Sequence, residues 1–210
     1  MKNSNMTAPG MLYIIAAPSG AGKTSLIHRL TACTADVEVS ISHTTRPLRP
    51  GERDGVAYHF VDHETFQTLI RNNVFLEYAQ VFDYFYGTSR RTVLERIQQG
   101  IDIILEIDWQ GARQIRALIP DNISIFIVPS SLQALRQRLR SRGQDRPEVI
   151  ERRMRDAVSE MSHYDEFDYV IINDKFQEAL DNLRAIFIAR RQLRAVQQIR
   201  HRNLLQNLLS

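Results

Sequence analysis

Cysteine, lysine and long apolar runs are scarce in this sequence of 210 residues. Cys33 is the only cysteine, so the chain cannot form an internal disulfide and offers no cysteine-based metal cluster. No apolar run approaches the ~20 residues that a membrane-spanning helix needs. The N-terminus lacks the apolar stretch of a signal peptide. We therefore expect a cytoplasmic protein with no membrane partner and a flexible tail over residues 1–9.

The basic residues are almost all arginine. Lys2, Lys23 and Lys175 are the only lysines among 27 basic residues, and the formal net charge is +3. The planar arginine fork grips phosphate oxygens two at a time, so this composition suits phosphate ligands. Acidic residues are interspersed and no base-stacking aromatic motif accompanies the charge. Nucleic acid is therefore not an expected partner.

Short apolar runs alternate with helical patterns along the chain. Runs rich in Ile and Val at 11–16, 101–107, 123–128 and 168–172 are typical of parallel strands that are buried on both faces. Helix-like segments lie between these runs. The alternation predicts an α/β protein with a three-layer core around a parallel sheet.

Two stretches interrupt this rhythm. Residues 41–90 carry shorter strand-like runs, turns and one clear helix, "HETFQTLIRN", which Asp62 would cap. Residues 130–165 predict a helical hairpin, in which Gly143 ends the first helix and Pro147 starts the second. We therefore predict a core over 10–40, 91–129 and 166–200, with an inserted mixed α/β lobe at 41–90 and a helical lid at 130–165.

The segment from Phe176 onward predicts one long helix that ends within residues 201–210. Leu193, Val196 and Ile199 recur at helical spacing near its end. Such a helix can pack on its own core. It can also contact another subunit, because it is long for a core of this size. A homo-oligomer formed through this helix is therefore left open.

The motif "APSGAGKTS" follows the first apolar run and opens a helix, which is the context of a phosphate-binding loop. Gly20 and Gly22 allow the tight turn that aims N–H groups at an anion. Ala17 stands where the usual pattern has Gly, and Ala serves there if its φ is negative. The loop alone does not separate an NTPase from a kinase. The predicted ATP-binding residues of the loop are Ala17, Pro18, Ser19, Gly20, Ala21, Gly22, Lys23, Thr24 and Ser25.

A second group of anion-binding side chains lies in "VSISHTTRPLRPGERDGVAYHF". Arg46, Arg49 and Tyr58 together can surround a dianionic monophosphate. The alternative interpretation is an ordinary polar loop. Hydroxyl groups close by in the sequence belong to Ser42, Thr44 and Thr45.

Five separated motifs identify a family resemblance: "APSGAGKTSL", "SHTTRPLRPGE", "FLEYAQVFDYFYGTS", "LEIDWQG" and "RLRSRGQD…IERRM". They resemble those of guanylate kinases, the enzymes of purine nucleotide metabolism that move phosphate from ATP to GMP. The resemblance runs from about residue 10 to about residue 200. Bacterial guanylate kinases are similar throughout, including the Ala at the head of the loop. The 41–90 lobe would then bind GMP, and the lid would cover ATP.

The resemblance implies a site for GMP or dGMP beside the ATP site. Carboxylates suit guanine because its N1–H and exocyclic amino group lie on one edge, whereas adenine would leave a buried carboxylate unpaired. Ser42, Glu77, Thr88 and Asp108 would read the base. The residues that would bind the GMP phosphate are Arg46, Arg49, Tyr58 and Tyr86.

The resemblance also implies how phosphate is transferred. Lys23, Arg142 and Arg153 would reach the transferring phosphoryl group, with Arg138 as a weaker candidate. The acceptor is an anionic phosphate oxygen, so no general base is needed. Catalysis would consist of alignment and charge neutralisation, with both inserted segments closing over the nucleotides to exclude water.

The remaining implied contacts concern Mg²⁺ and adenine. Thr24 and Glu106 would hold Mg²⁺, partly through water, although the family usually has Asp where Glu106 stands. Asp108 would end the strand at 101–107, with Glu106 on the same strand face. Asn173, with Asp174 beside it, would contact the adenine.

Two rival functions remain to be weighed. Guanylate-kinase-like domains exist that bind protein partners and have lost the groups of the phosphate loop, but Lys23, Thr24, Arg46 and Arg49 are present here. A related small kinase could act on another phosphorylated acceptor, such as ribose 1,5-bisphosphate. Such an enzyme would not need the combination of Glu77, Thr88 and Asp108.

Overall fold

The core of the protein is a five-stranded parallel sheet. The structure, a computed structural model, describes residues 8–81, 83–141 and 146–209. The core strands are β1 (Leu12–Ala16), β2 (Val37–Val39), β7 (Asp102–Glu106), β8 (Ile123–Pro129) and β9 (Tyr169–Asn173). Their order is β2-β7-β1-β8-β9, and every pairing between neighbours is parallel. The predicted α/β class with a parallel sheet is confirmed.

Helices cover both faces of this sheet. One face packs against α1 (Lys23–Cys33) and α7 (Phe176–Arg191), and the other against α3 (Arg90–Gln98) and α4 (Trp109–Leu118). Central strand β1 is fully buried and supplies both clusters in alternation. Tyr13 faces α7, where its ring stacks on Phe187 at 3.7 Å. The period-2 alternation of a strand therefore builds the three layers.

The residues between β2 and α3 in the sequence form a second sheet, which contains both parallel and antiparallel pairs. It contains β3 (His43–Thr44), β4 (His59–Phe60), β5 (Phe75–Val81) and β6 (Tyr84–Ser89), in the order β4-β3-β6-β5. Helix α2 (His63–Arg71) begins as expected: Asp62 accepts a hydrogen bond from the N–H of Thr65 at 2.7 Å. Phe66 of α2 is fully buried and packs on Phe75 and Phe85, which fixes the helix to the sheet.

Two helices, α5 (Leu132–Ser141) and α6 (Pro147–Met161), share a small apolar core. Gly143, which we predicted to end the first helix, lies outside the described residues. A Cβ added at Gly20 would approach side-chain atoms of Leu139 and Leu135 at 2.9 and 3.0 Å. The α5 helix therefore packs directly on the phosphate loop.

The prediction of one long C-terminal helix from Phe176 is wrong. Helix α7 ends at Arg191, and α8 (Arg194–Arg200) and α9 (Arg202–Asn207) follow as separate short helices. Leu193 has an extended backbone, with φ −57° and ψ 138°, and the side chain of Gln197 donates to the carbonyl of Arg191 at 2.8 Å. The break therefore contains a side-chain contact and neither Gly nor Pro, so the sequence pattern carries no signal for it. None of the helices in the described ranges is sufficiently long and apolar to span a bilayer.

An ion pair between α7 and the core sheet generates a stability prediction. Arg191 donates to Asp102, which is 3% exposed, at 2.9 Å, and to the carbonyl of Ala35 at 2.8 Å. Asp102 also accepts from the N–H of Met11 at 2.8 Å. We expect Arg191→Met to lower the free energy of unfolding by about 3 kcal/mol, because it leaves a buried carboxylate without its cation. Urea unfolding followed by circular dichroism measures this change.

Arg190→Met is the matched control. Arg190 approaches Asp121 at 4.0 Å, and the Asp121 side chain is 87% exposed. Exposed pairs of this kind contribute about 0–1 kcal/mol. Equal destabilisation by the two substitutions would contradict a special role for the Arg191–Asp102 pair.

Candidate active site

A cleft of about 300 Å³ opens where the core sheet meets the second sheet. Its walls come from the phosphate loop, the carboxyl ends of β1 and β7, strands of the second sheet, and the end of α6. Open α/β sheets bind ligands at this edge. The lining residues are Ala17, Pro18, Ser19, Gly20, Gly22, Lys23, Thr24, Ser25, Ser42, Tyr58, Glu77, Ala79, Val81, Tyr86, Glu106, Ile107, Asp108 and Glu160.

The phosphate loop has the backbone that its sequence predicts. Gly20 and Gly22 adopt φ values of 91° and 93°, in the left-handed region that favours glycine. Among described residues other than glycine, positive φ occurs at Asp36 and Asn73 alone, so Ala17 takes a negative φ as expected. Gly22 is the N-cap of α1, and no side chain caps this helix. The N–H groups of the first turn of α1 therefore face the cleft end of the helix, where an anion is stabilised.

The carbonyl of Ala21 ties the phosphate loop to β9 and α5. It accepts hydrogen bonds from Asn173 Nδ2 at 2.7 Å and from Arg138 Nη1 at 3.1 Å. Arg138 Nη2 also donates to the carbonyl of Asn173 at 2.9 Å. A Cβ at Gly22 would lie 2.5 Å from Asn173 Nδ2, so this position requires glycine for space as well as for conformation. Asn173 is 3% exposed and supports the loop; its contact with adenine stays a prediction.

Three side chains converge beside the loop at the end of β7. The hydroxyl of Thr24 donates to Glu106 Oε1 at 2.6 Å, and Lys23 Nζ lies 3.9 Å from the same oxygen. Hydroxyl and carboxylate oxygens are the ligands that Mg²⁺ prefers, and Mg²⁺ commonly binds through one or two protein groups plus phosphates. No cluster of three or more His, Cys, Asp or Glu that could hold a metal occurs within the described ranges. The residues present therefore fit a nucleotide-bound Mg²⁺ better than a fully protein-ligated one.

Glu77 places a carboxyl group deep in the cleft. It is 3% exposed and accepts a hydrogen bond from the hydroxyl of Thr88 at 2.5 Å, while Ser42 lies 3.4 Å from that hydroxyl. Burial, reinforced by the negative charge of Asp108, raises the pKa of Glu77 to about 7. A Cβ at Gly111 would lie 2.7 Å from Glu77 Oε2, so α4 leaves room for this carboxyl group. The arrangement can accept hydrogen bonds from a neutral ring N–H and an amino group.

Asp108 differs from its predicted position. Strand β7 ends at Glu106, and Asp108 is the N-cap of α4, where it accepts from the N–H of Gly111 at 2.9 Å. Its second oxygen accepts from Gln110 Nε2 at 2.9 Å. The prediction that Asp108 ends the strand on the same face as Glu106 is therefore wrong. Both carboxylates nevertheless line the same cleft.

The predicted phosphate cage is only partly assembled. Tyr58 and Tyr86 line the cleft with their rings 5.8 Å apart, and burial raises the pKa of Tyr58 to about 12. Arg46 is 6% exposed, and its guanidinium lies 5.4 Å from the centre of the Tyr58 ring. Arg49 is exposed, and neither arginine is among the residues that line the cleft.

Glu52 is a site residue that sequence reasoning missed. It accepts from Arg46 Nη2 at 2.7 Å and from the backbone N–H of Arg49 at 2.9 Å. The guanidinium and backbone contacts hold the pKa of Glu52 below its usual value. The acidic residue of "RPLRPGE" was the available signal, because a buried arginine needs a partner. Glu52 therefore orients the segment that carries both arginines.

The helices of the predicted lid place a different side chain at the cleft. Arg142, a predicted catalytic residue, lies outside the described residues. Arg153 is half-buried on α6 and is not among the residues that line the cleft. Glu160, near the end of the same helix, does line it, and the sequence pattern gave no reason to single it out.

Comparisons with known proteins agree with this geometry. A family model described as guanylate kinase matches residues 10–190. The guanylate kinase of Saccharophagus degradans is 55% identical, covering 98% of this chain and 100% of that protein. The guanylate kinase of Pseudomonas fluorescens is 58% identical, covering 95% of this chain and 97% of that protein. A crystal structure of guanylate kinase from Anaplasma phagocytophilum matches with a TM-score of 0.75 and 30% identity, covering 91% of this chain and 95% of that one. The chain belongs to the guanylate kinase family.

Proposed function

We propose that this protein transfers the γ-phosphate of ATP to GMP, giving ADP and GDP. One observation carries the assignment. The phosphate loop lines the same cleft as Glu77, a buried carboxyl group that can accept hydrogen bonds from a base. The first part suits a nucleoside triphosphate, and the second suits guanine. High identity to guanylate kinases over nearly the whole chain supports the same reaction.

The donor phosphates would bind at the N-terminus of α1. Lys23 and the open N–H groups of the loop supply positive charge to the outer phosphates. Thr24 and Glu106 would hold Mg²⁺ together with phosphate oxygens and water. When bound, Mg²⁺ neutralises charge on the donor phosphates. Arg142 and Arg153 of the lid would add charge once the lid covers the donor.

The acceptor phosphate would bind near Tyr58 and Tyr86, with Arg46 and Arg49 completing its cage. Arg46 is already oriented by Glu52, so few rotamers are lost on binding. The base would lie against Glu77, Thr88, Ser42 and Asp108. The attacking oxygen of GMP is anionic, so the reaction needs alignment and water exclusion rather than a general base.

Neither rival function accounts for the cleft as well. A protein-binding module has no use for a phosphate loop with Lys23 and Thr24 in place. A kinase for ribose phosphates has no use for a buried carboxyl at Glu77, which raises the free energy of the folded protein above pH 7. Binding of dGMP, a cytoplasmic location and a homo-oligomer through the C-terminal helices remain predictions.

An acceptor panel tests the substrate assignment. With Mg-ATP as donor, we expect kcat/KM for GMP to exceed that for AMP by roughly 10⁴, because AMP leaves the buried carboxylate unpaired. The panel comprises GMP, dGMP, AMP, UMP and ribose phosphates, assayed by coupled ADP release. Faster turnover of AMP or a ribose phosphate than of GMP would show that Glu77 and Asp108 do not read guanine.

Lys23→Ala tests the phosphate loop. Removing one charge aimed at the transferring group should lower kcat by about 10²–10³, the size expected for a lost transition-state donor. Lys175→Ala is the control, because the Lys175 side chain is 71% exposed and pairs with Glu178 at 2.8 Å. Near-normal turnover of Lys23→Ala would exclude the proposed role of the loop.

The raised pKa of Glu77 gives a pH prediction for binding. A protonated carboxyl cannot accept two hydrogen bonds from guanine in the same way, so KM for GMP should rise as pH falls through about 7. The GMP phosphate itself titrates near pH ~6. Glu77→Gln separates the two effects, since it should keep only the phosphate titration and bind GMP about tenfold more weakly at pH 8. Identical pH profiles for the two proteins would contradict the assignment.

The same pKa shift predicts an opposite effect on stability. The pKa of Glu77 is raised from 4.5 to about 7, so the folded state holds the proton more tightly than the unfolded state. This contribution to stability is present below pH 4.5 and is lost as pH rises through about 7. At pH 8, Glu77→Gln should therefore raise the free energy of unfolding by about 1–3 kcal/mol. Urea unfolding measures it, with the exposed Glu95→Gln as a control that should stay unchanged.

A further inference from the structure

Glu160 brings a carboxyl group from helix α6 to the phosphate loop. It is the penultimate residue of α6, and its Oε2 accepts a hydrogen bond from the N–H of Ser19 at 3.2 Å. Within the described part of the chain, it is the α6 residue that lines the cleft. The contact spans 141 residues of sequence, so it ties two distant segments together.

The surroundings of Glu160 disfavour a negative charge on its carboxyl group. Burial raises the pKa of Glu160, and the nearby carboxylates of Asp108 and Asp156 act in the same direction. The backbone contact with Ser19 and the positive charge of Lys23 oppose this shift. A carboxyl group held among like charges, beside a cleft suited to phosphates, lowers the stability of the protein. Such a cost is expected at positions that serve function.

Ser19 lies in the half of the loop that Asn173 and Arg138 do not reach. Their hydrogen bonds fix the carbonyl of Ala21, which is in the second half. The first turn is closed by the N–H of Ala21, which donates to the carbonyl of Pro18 at 3.1 Å, and Gly20 within this turn has a φ of 91°. Glu160 therefore adds a hydrogen bond from outside the loop to a turn on which Leu135 and Leu139 also pack.

Both lid helices thus hold the loop, one on each side of Gly20. Arg138 of α5 donates to the Ala21 carbonyl, and Glu160 of α6 accepts from the Ser19 N–H. A loop that is held in shape before the nucleotide arrives loses less conformational freedom on binding and aligns the donor better.

We propose that Glu160 is a positioning residue for phosphoryl transfer, which fixes the first turn of the phosphate loop through the N–H of Ser19. The hydrogen bond keeps that turn, and with it Lys23, in the arrangement that receives the ATP phosphates. It also makes the shape of the donor site depend on where α6 lies. This role rests on the proposed transfer from ATP to GMP, and it concerns the donor side only.

Two substitutions separate the hydrogen bond from the charge. Glu160→Gln keeps an acceptor oxygen of the same reach, whereas Glu160→Ala removes it. We expect Glu160→Ala to lower kcat/KM for ATP about tenfold, the effect of losing one hydrogen bond to a charged group. Glu160→Gln should stay within about threefold of the wild type, and KM for GMP should change less than twofold in both. Glu148→Ala, an exposed carboxylate in the first turn of the same helix, is the matched control and should behave as the wild type.

The full-length variants are compared by steady-state kinetics, by thermal unfolding and by calorimetric binding of a non-hydrolysable ATP analogue. A loss in kcat/KM for ATP without a matching loss of Tm, restored by Gln, supports the proposal. Wild-type kinetics for Glu160→Ala would overturn it, as would equal losses for Ala and Gln. Tighter ATP binding by both variants would also overturn it, because Glu160 would then act only as a charge that repels phosphate. If the wild type failed to phosphorylate GMP, the proposed function would fall, while analogue binding would still decide the role of Glu160.

Discussion

The phosphate loop must leave its N–H groups open to an anion, and much of the remaining structure follows from this constraint. A loop that donates to a ligand cannot hold itself in place with the same donors. Its shape is therefore fixed through other atoms, chiefly the Ala21 carbonyl, by Asn173 at the end of β9 and Arg138 of α5. The order of strands in the sheet brings β9 and the helical pair to the loop, so the support is a product of the whole fold.

Charges on the acceptor side are arranged in a similar way before any ligand binds. Glu52 holds Arg46 and the backbone of Arg49, and Thr88 holds Glu77. Each of these groups thus has a partner that fixes its orientation. Each partner also occupies a hydrogen-bonding position that a ligand could otherwise use. Preorganisation of this kind lowers the conformational freedom lost on binding, and it favours ligands whose groups match the fixed partners.

Sequence patterns predicted what depends on local chemistry and period. The parallel strands, the glycine loop, the Asp62 cap and the family resemblance all follow from short stretches, and the structure bears out the core class. The break after Arg191 was missed because neither Gly nor Pro accompanies it, and the Gln197 side chain that binds the Arg191 carbonyl there leaves no mark in the sequence pattern. Glu52 was missed although its partners, Arg46 and Arg49, lie within six residues of it. Glu160 was missed because its contact with Ser19 spans 141 residues, and an acidic residue on a polar helix face carries no signal of such a contact. The predicted position of Asp108 was wrong because β7 ends two residues earlier, at Glu106, and Asp108 is a helix cap instead of a strand residue.

Gly111 has a consequence for how this protein can change over generations. Glycine within a helix costs about 1 kcal/mol relative to alanine, so drift toward alanine at this position would ordinarily be favoured. Here the added methyl group would lie 2.7 Å from Glu77 Oε2, so the carboxyl group would have to shift. A gain in helix stability at residue 111 would therefore be offset by crowding of the Glu77 carboxyl group. The two positions are therefore coupled: a substitution at residue 111 of α4 acts directly on the buried carboxyl group of residue 77.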